Sequence, residues 1–141
     1  MGFSVAAAAA IIGVSLLMIL EIFAGNTIPL YTEIQDSYKD MKNRAIDELQ
    51  TMISIQNVTT SPNASNYDVN ITVQNTGSTV IDTRYITLLI NGTKTIFTSS
   101  SAYIYPTSSV YLNSDDLSGN GQKKLKIITK NGISSYETYI I

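Results

Sequence analysis

The chain has 141 residues, with 9 basic and 11 acidic side chains and no histidine, cysteine or tryptophan. Those absences exclude disulfides, thiolate nucleophiles and Ser-His-Asp or Cys-His catalysis, and zinc would have to be held by carboxylates alone. A net charge of −2 gives no electrostatic ground for a nucleic-acid partner; neither catalysis nor a cofactor is expected.

Every charged residue lies beyond Leu20. Residues 2–24 read GFSVAAAAAIIGVSLLMILEIFA, with Ser4, Ser15 and Glu21 as the only polar interruptions. About 20 apolar residues rising 1.5 Å each span a hydrocarbon core of roughly 30 Å. The run is too long for a signal-peptide core and has no basic residue ahead of it. Lipidation at Gly2 would require Ser or Thr where Ala6 stands. Residues 1–24 therefore read as an uncleaved transmembrane helix that meets lipid through residues 3–23. Glu21 marks its outer boundary among the headgroups. Ala6/Ala10 and Ala9/Gly13 place small residues four apart, a spacing that suits either close helix approach or a lipid-facing helix. From Glu21 to Asp36 the flank carries carboxylates and no basic residue before Lys39. That puts the N-terminus in the cytoplasm and the C-terminal part outside.

Gly25-Asn26-Thr27-Ile28-Pro29 then interrupts the apolar run, so a kink or a restart capped by Thr27 is expected there. Tyr31, Ile34, Tyr38, Met41, Ala45, Leu49 and Met52 recur every three or four residues, which makes residues 25–54 a kinked amphipathic stalk helix. Its apolar stripe buries against the chain's own domain or against a neighbouring helix.

Residues 55–141 change texture to Val, Ile, Thr and Tyr with frequent turn residues. Val69, Ile71 and Val73 alternate with polar neighbours as a half-buried strand, ended by Asn75-Thr76-Gly77-Ser78. Tyr85–Ile90 and Lys94–Thr98 flank Asn91-Gly92, a type I′ hairpin signal. Val110–Leu112 follows Pro106 and reads as an edge or bend. Leu125–Thr129 and Ser134–Ile140 flank a second Asn-Gly at Asn131-Gly132. About seven short strands without a helix among them predict an all-β, immunoglobulin-like sandwich.

This domain offers few sites. The oxygen-rich run Asn113–Gly121 lacks the ligand spacing of an EF-hand and reads as a solvated turn. Lys123, Lys124, Lys126 and Lys130 form the basic cluster; Lys124 and Lys126 share one strand face, which suits edge protection or an acidic partner. Asn57, Asn63, Asn70 and Asn91 open Asn-x-Ser/Thr sequons, candidate N-glycosylation sites of an exported domain. Tyr103, Tyr105 and Tyr111 around Pro106 are the candidate partner-contact residues, because tyrosine is enriched at interface hot spots.

An apolar N-terminal helix, a stalk and a C-terminal sandwich form the layout of archaeal type IV pilin-like proteins. The opening Met1-Gly2-Phe3-Ser4-Val5-Ala6, followed by Ala10-Ile11-Ile12, resembles the archaellum accessory protein F family (FlaF/ArlF). Filament subunits of that superfamily carry a short basic leader, which does not precede this helix, so the resemblance implies an anchor kept in the membrane. It further implies a stator role in motility: the sandwich stands in the pseudoperiplasm, binds surface-layer protein and associates with a protein G-like partner, with a homodimer as one option. The alternative is an archaellin or pilin-like filament subunit.

Overall fold

The computed structural model describes residues 2–141; Met1, which opens both the expected span and the quoted motif, lies outside them. The chain divides into two units, one ending at Asn43 and one running Arg44–Ile141. A single helix, α1, covers Gly2–Gln50, with Pro29 inside it. The helix does not restart at Thr27, and it ends short of residue 54. Within a long helix the missing N–H at Pro29 costs a single ladder bond, and the helix runs on through it. Polar side chains along α1 bond back to their own helix: Ser15 Oγ donates to the Ile11 carbonyl at 2.8 Å, Asn26 Nδ2 to Ile22 at 2.9 Å and Thr32 Oγ1 to Ile28 at 3.1 Å.

The second unit is a β-sandwich. Its strands are β1 (Ile53–Asn63), β2 (Asn66–Asn75), β3 (Ile81–Asp82), β4 (Thr87–Ile90), β5 (Thr93–Thr95), β6 (Thr98–Ser99), β7 (Tyr103–Ile104), β8 (Ser109–Leu117), β9 (Gln122–Ile128) and β10 (Ser134–Ile140). One sheet has the order β1-β2-β8-β6 and the other β10-β9-β4-β5, with β3 and β7 as a separate pair. All pairings are antiparallel. Val69, Ile71, Val73 and Leu112 from the first sheet meet Leu88, Leu125 and Ile127 from the second, all fully buried. Alternation of period two sends their neighbours outward. Burial on this scale, at roughly 25 cal/mol per Å² of apolar surface, is what holds the sheets together.

Both hairpin signals fold, by different turns. Asn91 and Gly92 have φ of 49° and 84°, as a type I′ turn requires, and Asn91 Oδ1 accepts the Lys124 N–H at 2.8 Å. At the second Asn-Gly, only Gly132 has positive φ, at 81°. There the Gly132 N–H donates to the Thr129 carbonyl at 3.0 Å and the Thr129 N–H to Ile133 at 2.9 Å, a longer loop closed by a left-handed glycine.

Three sequence expectations are corrected. The strand β9 carrying Lys124 and Lys126 lies between β10 and β4, so both its edges are paired and these lysines protect no edge. The strand containing Val110–Leu112 is likewise internal, between β2 and β6. The Lys94–Thr98 strand splits: β5 belongs to the second sheet and β6 to the first, with the chain crossing between them at Ile96-Phe97.

Candidate functional surfaces

The long helix is the first surface. Every described residue of α1 is exposed and none is buried, although its first two dozen residues are almost wholly apolar. The helix is long and apolar enough to cross a membrane. It is apolar all round over its first two dozen residues, a pattern stable only when lipid or other helices cover it.

The last turn of α1 belongs to the sandwich unit, where two loops grip it. Helix C-termini leave carbonyls without intrahelical partners. Here the Ser78 N–H donates to the Gln50 carbonyl at 2.9 Å, and the Thr76 and Gly77 N–H groups to Met52 at 3.0 and 3.2 Å. Gly77 is obligatory for this approach: a Cβ there would strike the Gln50 oxygen and come within 2.5 Å of the Met52 nitrogen. Asn75 is wholly buried and holds the loop: its Nδ2 donates to the Thr79 and Ile104 carbonyls at 2.7 and 2.9 Å, and its Oδ1 accepts from the Gly77 N–H at 3.0 Å. On the other side Thr51 Oγ1 donates to the Asp47 carbonyl at 2.6 Å and accepts from Asn131 Nδ2 at 2.9 Å. Beside it lies a cleft of about 270 Å³ bordered by Asp47, Asp82, Tyr85 and Lys130.

The candidate contact tyrosines are all exposed, but they sit on different elements. Tyr103 lies on β7, with the Arg84 guanidinium 6.0 Å from its ring centroid. That guanidinium pairs with Asp82 at 2.6 Å and holds the Asp82 carboxyl below the usual carboxylate range. Tyr105 follows in the loop, and Tyr111 projects from the outer face of β8 opposite Thr72. Sequence reading missed a different tyrosine pair. Tyr67 on β2 and Tyr139 on β10 are buried, their rings 6.3 Å apart and their hydroxyls 3.1 Å apart, joining one sheet to the other. Their alternation with Val69 and with the exposed Thr138 and Ile140 was the available signal.

All four sequon asparagines are exposed. Two of the sequons face each other: Asn57 lies opposite Thr72 and Asn70 opposite Thr59. Asn63 Nδ2 donates to Asp68 at 3.1 Å. The oxygen-rich run carries a bulge on β8 where the Asp116 N–H donates to Asp68 Oδ1 at 2.8 Å and Asp116 Oδ1 accepts from Asn66. These N–H donors hold the Asp68 carboxyl below its usual range. Among the described residues no group of three or more Asp or Glu is arranged to hold a metal ion.

The model of one protein family, archaeal-type flagellin, matches residues 2–139, helix and sandwich together. The chain belongs to the archaeal-type flagellin family. Among solved structures it is similar to the archaeal flagellum of Methanospirillum hungatei strain JF1, with a TM-score of 0.76 at 16% identity, over 94% of this chain and 91% of that one. The archaellum periplasmic stator protein complex FlaF and FlaG from Sulfolobus acidocaldarius matches with a TM-score of 0.48 at 23% identity, over 62% of this chain and 87% of that one. No curated protein matches. This member of the archaeal-type flagellin family is thus archaellum-associated, built from an apolar helix and a sandwich.

Proposed function

We propose that the protein is a membrane-anchored stator component of the archaellum. Its apolar helix holds it in the archaeal membrane with the N-terminus cytoplasmic. The helix beyond residue 24 acts as a stalk, and the sandwich in the pseudoperiplasm binds the surface layer, fixing the rotary motor to the envelope. The observation that carries this reading is α1 itself: a charge-free stretch of membrane length, uncovered along its whole surface. The likeness of the opening residues to the accessory protein F family supports the stator role and a protein G-like partner. A torque-resisting protein needs an anchor, a spacer and an adhesive domain, and these elements are what the chain offers. As an exported domain, the sandwich is open to N-glycosylation. Asn57, Asn63, Asn70 and Asn91 are the candidate acceptors, and all four are exposed.

A second reading, a filament subunit, is favoured by the likeness in fold to the archaeal flagellum over 94% of the chain. There the apolar helix packs into a filament core in place of lipid. Native-protein mass spectrometry together with a pull-down of the full chain in detergent separates the two. An N-terminus intact at Met1 or Gly2 and captured surface-layer protein support the stator. A processed N-terminus and recovery of the chain in sheared filaments overturn it.

A further inference from the structure

The sandwich sorts its charge by sheet. The strands of the first sheet, β1, β2, β8 and β6, contain Asp68, Asp115 and Asp116 and no basic residue. The strands of the second sheet contain Lys94, Lys123, Lys124 and Lys126 against the single Glu137. Register sharpens the separation. Tyr136 lies opposite Lys126, Lys126 opposite Leu89 and Leu89 opposite Lys94, so these four form one row across the outer face. Lys124, two residues from Lys126, is on the same face. Glu137 pairs with buried Leu125 and so belongs to the opposite alternation.

Adjacent strands lie about 4.8 Å apart. Lys94 and Lys126, separated by one strand, therefore stand roughly 10 Å apart with no carboxylate between them. Like charges in such neighbouring positions repel. The one ion pair among the described residues, Asp82–Arg84, involves none of them. Lys126 rests its ammonium 4.9 Å from the Tyr136 ring centroid, which leaves its charge unneutralised. On the first sheet Asp68, Asp115 and Asp116 crowd at the β8 bulge, again without a basic neighbour on that sheet.

We propose that these two faces are complementary halves of one heterologous contact, the acidic face of one copy docking on the lysine face of the next. Copies carried by the same N-terminal anchor and related by translation in the membrane plane turn the same face in the same direction. Opposite faces are then what neighbours bring together. A two-fold pairing would set lysine against lysine or aspartate against aspartate. The charges also match in level: Asp115 lies two residues before β8 ends at Leu117, and Lys124 two residues after β9 begins at Gln122. Both therefore sit at the end of the sandwich where β8 passes into β9. A contact of this head-to-tail kind adds subunits without closing unless its rotation forms a ring. It depends on α1 as the shared anchor, and it holds for an array of anchored stators as well as for a filament.

The test mixes unlabelled and ¹⁵N-labelled full-length chain in lipid vesicles at high protein-to-lipid ratio, followed by a carbodiimide that joins amines directly to carboxylates. Vesicle flotation first reads the anchor by itself. Mixed-isotope cross-links from Lys124 or Lys126 to Asp115 or Asp116 are expected, and they should fade as salt rises to about 1 M, where the screening length is about 3 Å. Lys124→Glu/Lys126→Glu and Asp115→Lys chains should each lose these links alone and regain cross-links when mixed. Absence of mixed-isotope links in floated, folded protein, amine-reactive links joining the lysine faces of two copies, or a native glycan on Asn57, Asn63 or Asn70 covering the acidic face would each overturn the proposal.

Discussion

Replacing Gly77 by alanine tests whether the sandwich loop truly closes on the end of α1. The added Cβ would collide with the Gln50 oxygen and approach the Met52 nitrogen to 2.5 Å. Both are backbone atoms that cannot swing aside as a side chain could. The loop must withdraw, and with it go the three N–H bonds from Thr76, Gly77 and Ser78 to Met52 and Gln50. At about 1 kcal/mol each, their loss is about 3 kcal/mol. The reduced freedom of the unfolded chain returns about 0.4–1 kcal/mol. A net destabilisation of about 2 kcal/mol follows, or a fall in Tm of roughly 8–16 °C for a domain of this size. Near-ultraviolet circular dichroism of the tyrosines follows unfolding of the full chain in micelles, and amide exchange at Ser78 reports the loop directly. An unchanged Tm with Ser78 still protected would refute the steric reasoning.

Four further outcomes are expected. Tyr139→Phe strands the buried Tyr67 hydroxyl and should cost about 1–2 kcal/mol, whereas the double replacement with Tyr67→Phe should cost less than the sum of the singles; additive losses in denaturant titration would argue against a bonded pair. Burial, then the Tyr67 hydroxyl, holds the Tyr139 proton above the ordinary value of 10.0. The folded state thus keeps a proton that the unfolded chain releases, and stability should be level below about pH 10 and fall as pH rises beyond it, as measured by unfolding between pH 8 and 11 (chosen to bracket that value). Asn91→Gly keeps the positive φ but loses the bond to the Lys124 N–H, while Asn91→Ala loses both, so alanine should destabilise more, by about 1 kcal/mol; equal Tm values would disprove a type I′ requirement. Leu17→Lys places a charge in the middle of the apolar stretch at about 3 kcal/mol, and vesicle flotation should fall steeply if α1 lies in lipid.

Local sequence signals explain why much of this architecture was legible. The apolar stretch to Leu20 needs no partner within the chain to be recognised, because its length and lack of charge are set against the membrane. Val69, Ile71 and Val73 alternate in one strand, and Asn91-Gly92 carries its own turn geometry. β1 escaped recognition for an equally physical reason. The extra residue Gln56 bulges between Ile55 and Asn57, so Ile55 and Val58 face the core three residues apart and the period-two pattern breaks.

What tertiary structure alone decided is where non-local neighbours fall. Lys124 and Lys126 share a face in any strand, but only the sheet order shows that β9 is internal and that Lys94 joins their row. Gly77 looks like an ordinary turn glycine until Gln50 and Met52 arrive beside it. Tyr67 and Tyr139 are 72 residues apart in the chain, and their hydroxyls meet only because two sheets pack face to face. Sequence determined which elements form, since helix length, alternation and turn chemistry act within a few residues. Packing determined which side chains meet and which charges face the same way, since those depend on strand order and register between segments remote in the chain.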